Sequence, residues 1–340
     1  MIEEFVFGRN SADEIVRAFR IREDDGTSVT LLTWGATIQS LVIPTERGPL
    51  DVVLGYDSIE QYEAGTCYLG TVVGRVGNRI GGSAFTVDGT EYHVTPNERG
   101  NCLHGGARGL SRKNWDGRTE GDSVVFTVRS ADGDEGFPGD FSAQVRYTLR
   151  DRVLSIEYEA QVSSPCPVNL TSHGYYNLNG AGSGTVLDHE MQVDAFGVTE
   201  TDAALIPTGA IIPVEGTPFD FSLSKPIGRD LDESYAPIGY GKGYDHNFCL
   251  NGTGFRRAMT LKGDRTGLEM EVWTDLPGIQ IYSSGAYPDE PGKAGKTYGR
   301  FCAVALETQN YPDAVNHPSF PESVLRPGET YRTRTEYRFL

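Results

Sequence analysis

The stretch FCAVALETQNYPDAVNHPSFP, residues 301–321, carries the strongest combined signal for fold and function in this chain. Its first six residues are apolar and form a run of the length and type of a buried strand. A carboxylate, Glu307, follows where this run ends, and burial of an ionised carboxylate is costly unless it is paired or hydrogen-bonded. We therefore expect Glu307 either to face a donor or to have a raised pKa that suits a general base. A glutamate that simply faces water at a strand end is the alternative.

Outward from this stretch, apolar and polar residues alternate with the period of two that is typical of half-buried antiparallel strands. Residues 153–162 read VLSIEYEAQV, and the dipeptide Asp88-Gly89 between AFTV and TEYHV predicts a two-residue hairpin. Helical periodicity is nearly absent, apart from one short turn at 58–64. The sequence therefore predicts an all-β protein, a large sandwich or barrel, with residues 1–340 in a single domain.

Composition indicates which classes of partner are excluded and which cellular compartment the protein occupies. The 30 Lys and Arg residues face 47 Asp and Glu residues, a net charge of −17, which argues against nucleic acid and anionic membranes as partners. The five cysteines form an odd set without CxxC pairs, which fits a reducing compartment and supports neither disulfides nor a zinc site. The opening MIEEFVFGRN lacks the features of a signal peptide, and no apolar run approaches the roughly 20 residues that span a bilayer. We expect a cytoplasmic protein.

Four polar segments interrupt the strand pattern. Each combines a titratable or forked side chain with Gly or Asn, which is typical of loops at strand ends where sites are built. The segments are residues 74–106, 169–179, 241–247 and the stretch around Glu307.

Taken in order, the motifs in these segments resemble those of the aldose 1-epimerases, or galactose mutarotases. The resemblance extends from about Gly35 to the C-terminus and implies a large antiparallel β-sandwich of the galactose-mutarotase type with few short helices. It also implies interconversion of the α and β anomers of free aldohexoses such as galactose and glucose. The motifs are GRVGNRIGGSAFTVDG, NCLHGG, NLTSHGYYNLNG, IPTG, GYDHNF, LPGIQIYSS, LETQNYPDAVNHPSFP and LRPGETY.

The resemblance implies a role for seven residues. Glu307 matches the family's catalytic base, His173 its catalytic acid, and His104 the second histidine at the sugar ring. Four further positions match residues that bind the sugar or support binding: Arg79, Asp245, and as second-tier contacts Asn78 and Gln280. Two positions depart from the family pattern, Ser172 and Tyr176, where Asn and Phe are frequent.

The chemistry of mutarotation is consistent with these residue types. Opening of a hemiacetal ring removes the proton on the C1 hydroxyl while the ring oxygen gains one. We expect a carboxylate base and a protonated imidazole acid on opposite sides of one sugar, with the imidazole held charged by an acidic neighbour. No electrons move and no group leaves, so we expect no cofactor and no metal ion. The expected partner is a small monosaccharide, bound by a monomer or a homodimer.

Three other functions remain open from the residues alone. A sugar-phosphate 1-epimerase would need cations beside the site, for which Arg75 and Arg79 are candidates. A glycoside hydrolase would use Glu307 and Asp245 as its pair of carboxylates. A non-catalytic carbohydrate-binding protein would not need His173 and Glu307 together.

Overall fold

A computed structural model describes residues 1–340 and consists mostly of short antiparallel strands. The two α-helices are α1 (Ile59–Ala64) and α2 (Ala236–Gly241). The strands, in chain order, are β1 (Ile2–Arg9), β2 (Ile15–Arg22), β3 (Ser28–Leu32), β4 (Thr37–Thr45), β5 (Gly48–Asp51), β6 (Val72–Val73), β7 (Arg79–Ile80), β8 (Ala84–Val87), β9 (Thr90–His93), β10 (Cys102–Leu103), β11 (Asp116–Glu120), β12 (Ser123–Ser130), β13 (Phe141–Arg150), β14 (Val153–Val162), β15 (Cys166–Pro167), β16 (Thr171–Ser172), β17 (Tyr175–Tyr176), β18 (Glu190–Val193), β19 (Ala195–Thr201), β20 (Pro207–Pro213), β21 (Lys225–Pro226), β22 (Asp245–Leu250), β23 (Arg256–Lys262), β24 (Glu269–Thr274), β25 (Gly278–Tyr282), β26 (Glu290–Pro291), β27 (Thr297–Tyr298), β28 (Val304–Gln309), β29 (Val324–Leu325) and β30 (Tyr331–Phe339).

Three sheets form most of the molecule. A nine-stranded sheet has the order β11-β12-β13-β14-β30-β24-β23-β18-β21, a six-stranded sheet the order β17-β28-β25-β22-β19-β20, and a five-stranded sheet runs from β1 to β5. The C-terminal strand β30 lies between β14 and β24 in the middle of the largest sheet. Apolar side chains from all three sheets belong to one core cluster of 64 buried residues, which fills the interior of the sandwich.

The predicted fold class is confirmed, as are the strand at 153–162 and the hairpin at Asp88-Gly89. Both hairpin residues have positive φ, 50° and 80°, as a tight turn between right-twisted strands requires. The short helix also forms, with Ser58 as its N-cap. Helix α2 was not predicted, because the segment APIGYG contains Pro and two Gly and shows no apolar period of a helix.

The main difference from the prediction concerns the strand at Glu307. Strand β28 begins at Val304, three residues later than the apolar run, and continues to Gln309. Glu307 is therefore inside the strand instead of following its end. It faces Gln280 on β25, which in turn faces Asn247 on β22. Since side chains two residues apart share one face of a strand, β22, β25 and β28 present a continuous polar surface.

Two further observations concern the cysteines and the helices. All five cysteines are free thiols. Neither α-helix has the length and apolar character needed to cross a membrane.

Candidate active site

A cavity of about 230 Å³ opens over the polar surface of β22, β25 and β28. It is lined by six of the seven predicted site residues, and the seventh, Gln280, lies directly behind Asp245. The six are Glu307, His173, His104, Arg79, Asp245 and Asn78. Two larger grooves, of about 590 and 780 Å³, run past β11 and β12 and contain none of the predicted residues. Chemistry, and not size, therefore identifies the candidate site.

Glu307 is the most deeply buried carboxylate of this cavity, with 2% of its surface exposed. Burial, reinforced by the negative charge of Asp245, raises the pKa of Glu307 well above its ordinary value, although the positive charge of Arg79 opposes the rise. Its Oε2 atom has no hydrogen-bond partner within the protein. The alternative of a glutamate facing water at a strand end is wrong. A buried carboxylate with a free oxygen is suited to exchange protons with a ligand.

His173 follows β16 and lies beside Glu307, with 3.4 Å between His173 Nε2 and Glu307 Oε1. Its ring stacks between the rings of Tyr68 and Tyr175, with centroids 5.9 and 5.0 Å away. Burial lowers the pKa of His173 to about 3, so the imidazole is neutral in the unliganded site. Desolvation of the buried ring causes this shift, whose direction is opposite to that expected for a histidine held charged by an acidic neighbour.

The relative placement of this pair also corrects the expected geometry. The carboxylate and the imidazole lie side by side instead of on opposite sides of a sugar. This arrangement suits the reaction, because the C1 hydroxyl oxygen and the ring oxygen are bonded to the same carbon. Two neighbouring groups on the protein can therefore reach both oxygens of one sugar.

His104 is buried, and its tautomer is set by the backbone. Its Nδ1 accepts a hydrogen bond of 3.1 Å from the backbone N–H of Asn78. Burial, followed by the neighbouring His173 and Arg79, lowers the pKa of His104 well below its ordinary value. A neutral imidazole whose Nδ1 accepts must carry its hydrogen on Nε2. His104 is therefore a hydrogen-bond donor at the cavity.

The same tautomer bears on metal binding. His104, His173 and Glu307 place one possible ligand atom each within 4.8 Å of one another. A metal-ligating histidine normally donates its second ring N–H to an acceptor, which leaves a lone pair for the metal. In His104 the second nitrogen faces the Asn78 N–H donor instead. These three side chains do not fit a resident metal ion without rearrangement.

Arg79 is held by a carboxylate that the sequence interpretation did not identify. Glu98 accepts from Arg79 Nε at 3.1 Å and from Nη2 at 3.2 Å, a bidentate ion pair. Burial alone would lower the pKa of Arg79, but the charges of Asp245 and Glu98 reverse this and raise it. The remaining edge of the guanidinium, at Nη1, is left for a ligand at the cavity.

Asp245 is held in a comparable way by Gln280, which stands one strand away on β25. Gln280 Nε2 donates to Asp245 Oδ1 at 2.6 Å. Asn78 was also expected to be a second-tier contact. Its side-chain Oδ1 accepts from the backbone N–H of Arg79 at 2.9 Å, and its own backbone N–H donates to His104 Nδ1. Both second-tier residues thus hold a neighbouring site residue in place.

Other residues named from the sequence lie outside the cavity. Arg75 is fully buried and donates to Ser130 and to backbone carbonyls, so it adds no cation to the site. Tyr176, one of the two departures, packs against Tyr337 in the core. The hydroxyl of Ser172, the other departure, is buried and has no partner within the protein.

Among the lining residues that were not predicted, Glu98 and Tyr68 contact predicted site residues. A buried arginine needs acceptors, and a carboxylate is a frequent one, so Glu98 within residues 74–106 was a candidate partner that the sequence offered. Nothing in the sequence around Tyr68 signals that its ring stacks on His173 and meets His104 edge-on.

Nearly the whole chain is similar to known proteins. Residues 17–338 match the family model of aldose 1-epimerases. The chain is 42% identical over 339 residues to the galactose mutarotase of Rattus norvegicus, covering 98% of this chain and 97% of the relative. It is 38% identical over 333 residues to the aldose 1-epimerase of Escherichia coli K12, covering 95% of each. The solved structure of a GalM/aldose epimerase homologue from C. elegans superposes with a TM-score of 0.88 at 35% identity, covering 94% of this chain and 98% of that one.

Proposed function

Because the chain belongs to the aldose 1-epimerase family, we propose that Glu307 and His173 exchange the two protons by which this isomerase interconverts the α and β anomers of aldoses. The observation that carries the proposal is the buried contact of 3.4 Å between Glu307 Oε1 and His173 Nε2 at the floor of the cavity. It places an acid and a base beside each other where one sugar carbon can reach both.

The pair holds one exchangeable proton between them. Burial raises the pKa of Glu307 well above its usual range and lowers that of His173 to about 3, so both shifts favour a proton on Glu307 over a proton on His173 in the unliganded site. A proton on His173 with an ionised Glu307 is the tautomer of the same pair, and the two groups titrate as one unit. Both forms have the same net charge, but only the second form places two charges in the buried site, so burial disfavours it until polar groups of the bound sugar stabilise those charges.

Ring opening uses the ionised Glu307 and the protonated His173. Glu307 takes the proton of the C1 hydroxyl, and the electron pair of that O–H bond becomes the second bond of the aldehyde. The bond from C1 to the ring oxygen breaks with its electron pair on the ring oxygen, which takes the proton of His173. Rotation about C1–C2 and the reverse steps close the ring on the other face and restore the pair.

The other site residues hold the sugar during rotation. His104 donates from Nε2, Arg79 from the edge not used by Glu98, and Asp245 accepts at Oδ2. Sugar hydroxyls both donate and accept, so a carboxylate and a guanidinium together pin neighbouring hydroxyls. We propose a monosaccharide substrate, galactose first among those to test, with no cofactor and with residues 1–340 acting as one domain. The five free thiols support a cytoplasmic location.

Oxygen labelling tests the mechanism. Freshly dissolved α-galactose is followed by polarimetry with and without enzyme, and the same reaction is run in ¹⁸O-water with mass spectrometry. Ring opening keeps the C1 oxygen, so the anomers equilibrate much faster than label enters C1. Label entering C1 at the rate of anomer interconversion would show that the C1–O1 bond breaks, as in a hydrolase. Absence of any acceleration by the enzyme would refute the function itself.

A further inference from the structure

A chain of buried side-chain amides lies behind Asp245. Gln309 Nε2 donates to Asn247 Oδ1 at 3.1 Å and to Gln280 Oε1 at 3.3 Å. Gln280 Nε2 donates in turn to Asp245 Oδ1 at 2.6 Å. Gln309 and Asn247 are 0% and 1% exposed and do not line the cavity. Any effect of Gln309 on a bound sugar through this chain must therefore pass through Gln280 and Asp245.

The direction of every bond in this chain follows from Asp245. An ionised carboxylate can only accept, so Gln280 must turn its amino group toward Asp245 and its oxygen toward Gln309. Gln309 must then present its own amino group to Gln280. This orientation leaves Gln309 Oε1 buried without a partner within the protein. An unsatisfied buried acceptor is unfavourable. The amides nevertheless keep this orientation, because Asp245 needs a hydrogen-bond donor.

A glycine on the neighbouring strand makes room for the chain. Gly278 stands opposite Gln309 in the pairing of β25 with β28. A Cβ atom at Gly278 would lie 2.4 Å from Asn247 Oδ1 and 3.2 Å from Asn247 Nδ2. Any larger residue would therefore displace the amide on which Gln309 rests.

We propose that Gln309 is a positioning residue for sugar binding, which holds the Gln280 amino group on Asp245 and so leaves Asp245 Oδ2 for a sugar hydroxyl. The proposal rests on the proposed function, because it needs Asp245 to bind the sugar. The proposal gives different roles to Glu307 and Gln309, which are neighbours on one face of β28. Glu307 acts on the reacting oxygens, whereas Gln309 acts on affinity through two amides.

Two substitutions of Gln309 test the proposal by steady-state polarimetry with α-galactose. Gln309→Leu removes the donor to Gln280 Oε1, and we expect KM to rise about fivefold, as for the loss of a hydrogen bond between uncharged groups, while kcat changes less than about threefold. Gln309→Glu keeps the shape but donates only when protonated. Its KM should be near that of the wild type at low pH and should rise as pH increases, because the ionised carboxylate introduced by this substitution would draw the Gln280 amino group away from Asp245. Wild-type KM should not show this dependence.

Gly278→Ala reaches the same chain from outside the cavity and should raise KM by pushing Asn247 away from Gln309. The matched control is Gly197→Ala on β19, where a Cβ atom also meets a neighbour at 2.4 Å, Ile211, but away from the amides. Both variants are expected to lower the melting temperature, and only Gly278→Ala should change KM. This pair decides the question if the Gln309 variants do not fold.

The proposal is overturned if KM is unchanged in the folded variants of Gln309 and in Gly278→Ala, or if Gly197→Ala raises KM as much as Gly278→Ala. It is also overturned if Gln309→Leu lowers kcat alone, since Gln309 would then act on Glu307. These results presuppose an active wild type. A wild-type protein without mutarotase activity would instead refute the proposed function.

Discussion

The two halves of the cavity are built in opposite ways. Glu307 and His173 are buried, and one polar atom of each, Oε2 and Nδ1, has no partner within the protein. Arg79 and Asp245 are tied down by a dedicated partner, Glu98 and Gln280 respectively. The half that moves protons is thus left unsatisfied, while the half that holds hydroxyls is arranged before the sugar arrives. Groups that must change protonation cannot be fixed by strong partners, whereas groups that only bind gain from being fixed.

The largest expected effect comes from the unsatisfied half. Glu307→Gln preserves shape but removes the base, and loss of a general base costs about 10²–10⁴ in rate. Polarimetry of α-galactose should show this loss in kcat with a folded protein. Glu336→Gln is the control, because Glu336 is also a buried glutamate but lies on β30 outside the cavity. A Glu307→Gln protein with the wild-type rate would remove Glu307 from the mechanism.

His173→Asn should follow, with a loss of about 10²-fold or more in kcat and a smaller rise in KM. The proton that His173 donates moves only in the transition state, so its contribution is concentrated there. If His173→Asn changes KM alone, the acid is another residue, and His104 becomes the next candidate because its Nε2 carries a hydrogen at the cavity.

Much of the fold and of the site could be predicted from the sequence, and what could not be predicted has a physical cause. The alternation in residues 153–162 reports a sheet with one buried face, and the ordered motifs brought together the reacting groups. The end of β28 was placed too early because Glu307 and Gln309 belong to a polar face, so a real strand looked like the beginning of a loop. The partner of Arg79 was missed because Glu98 is 19 residues away and its pairing depends on tertiary structure.

Glu98→Gln tests the other half of the cavity, in which Arg79 and Asp245 are held in place before the sugar binds. The variant keeps one acceptor oxygen but removes the second acceptor and the charge that fix Arg79, so KM should rise about fivefold to tenfold with kcat nearly unchanged. Arg79→Ala should raise KM further, since it removes the sugar contact itself. Steady-state kinetics distinguish these outcomes from a catalytic role. A loss confined to kcat in Glu98→Gln would mean that Arg79 acts on the proton transfer.

A smaller effect is expected from pH, because the competent pair carries one proton. A second proton is added only as pH falls through the lowered pKa of His173, about 3, and the shared proton is lost only as pH rises through the raised pKa of Glu307. We therefore expect kcat/KM, corrected for the spontaneous reaction, to change less than about twofold as pH rises from about 5, until pH reaches the raised pKa of Glu307. An isolated histidine acid would instead lose activity as pH rises through about 6.5. A decline centred there would contradict the shared proton.

The smallest effect, none, is expected from chelation. His104, His173 and Glu307 have the composition of a metal site, but the Asn78 N–H fixes the hydrogen of His104 on Nε2 and so removes one lone pair. Prolonged treatment with EDTA followed by desalting should leave the rate unchanged. Activity that is lost to EDTA and restored by a single divalent ion would show that His104 rotates or changes tautomer in the working enzyme. In that case the imidazole would act as a ligand, and the polarisation of the sugar oxygen would come from the metal ion instead of the proton shared by Glu307 and His173.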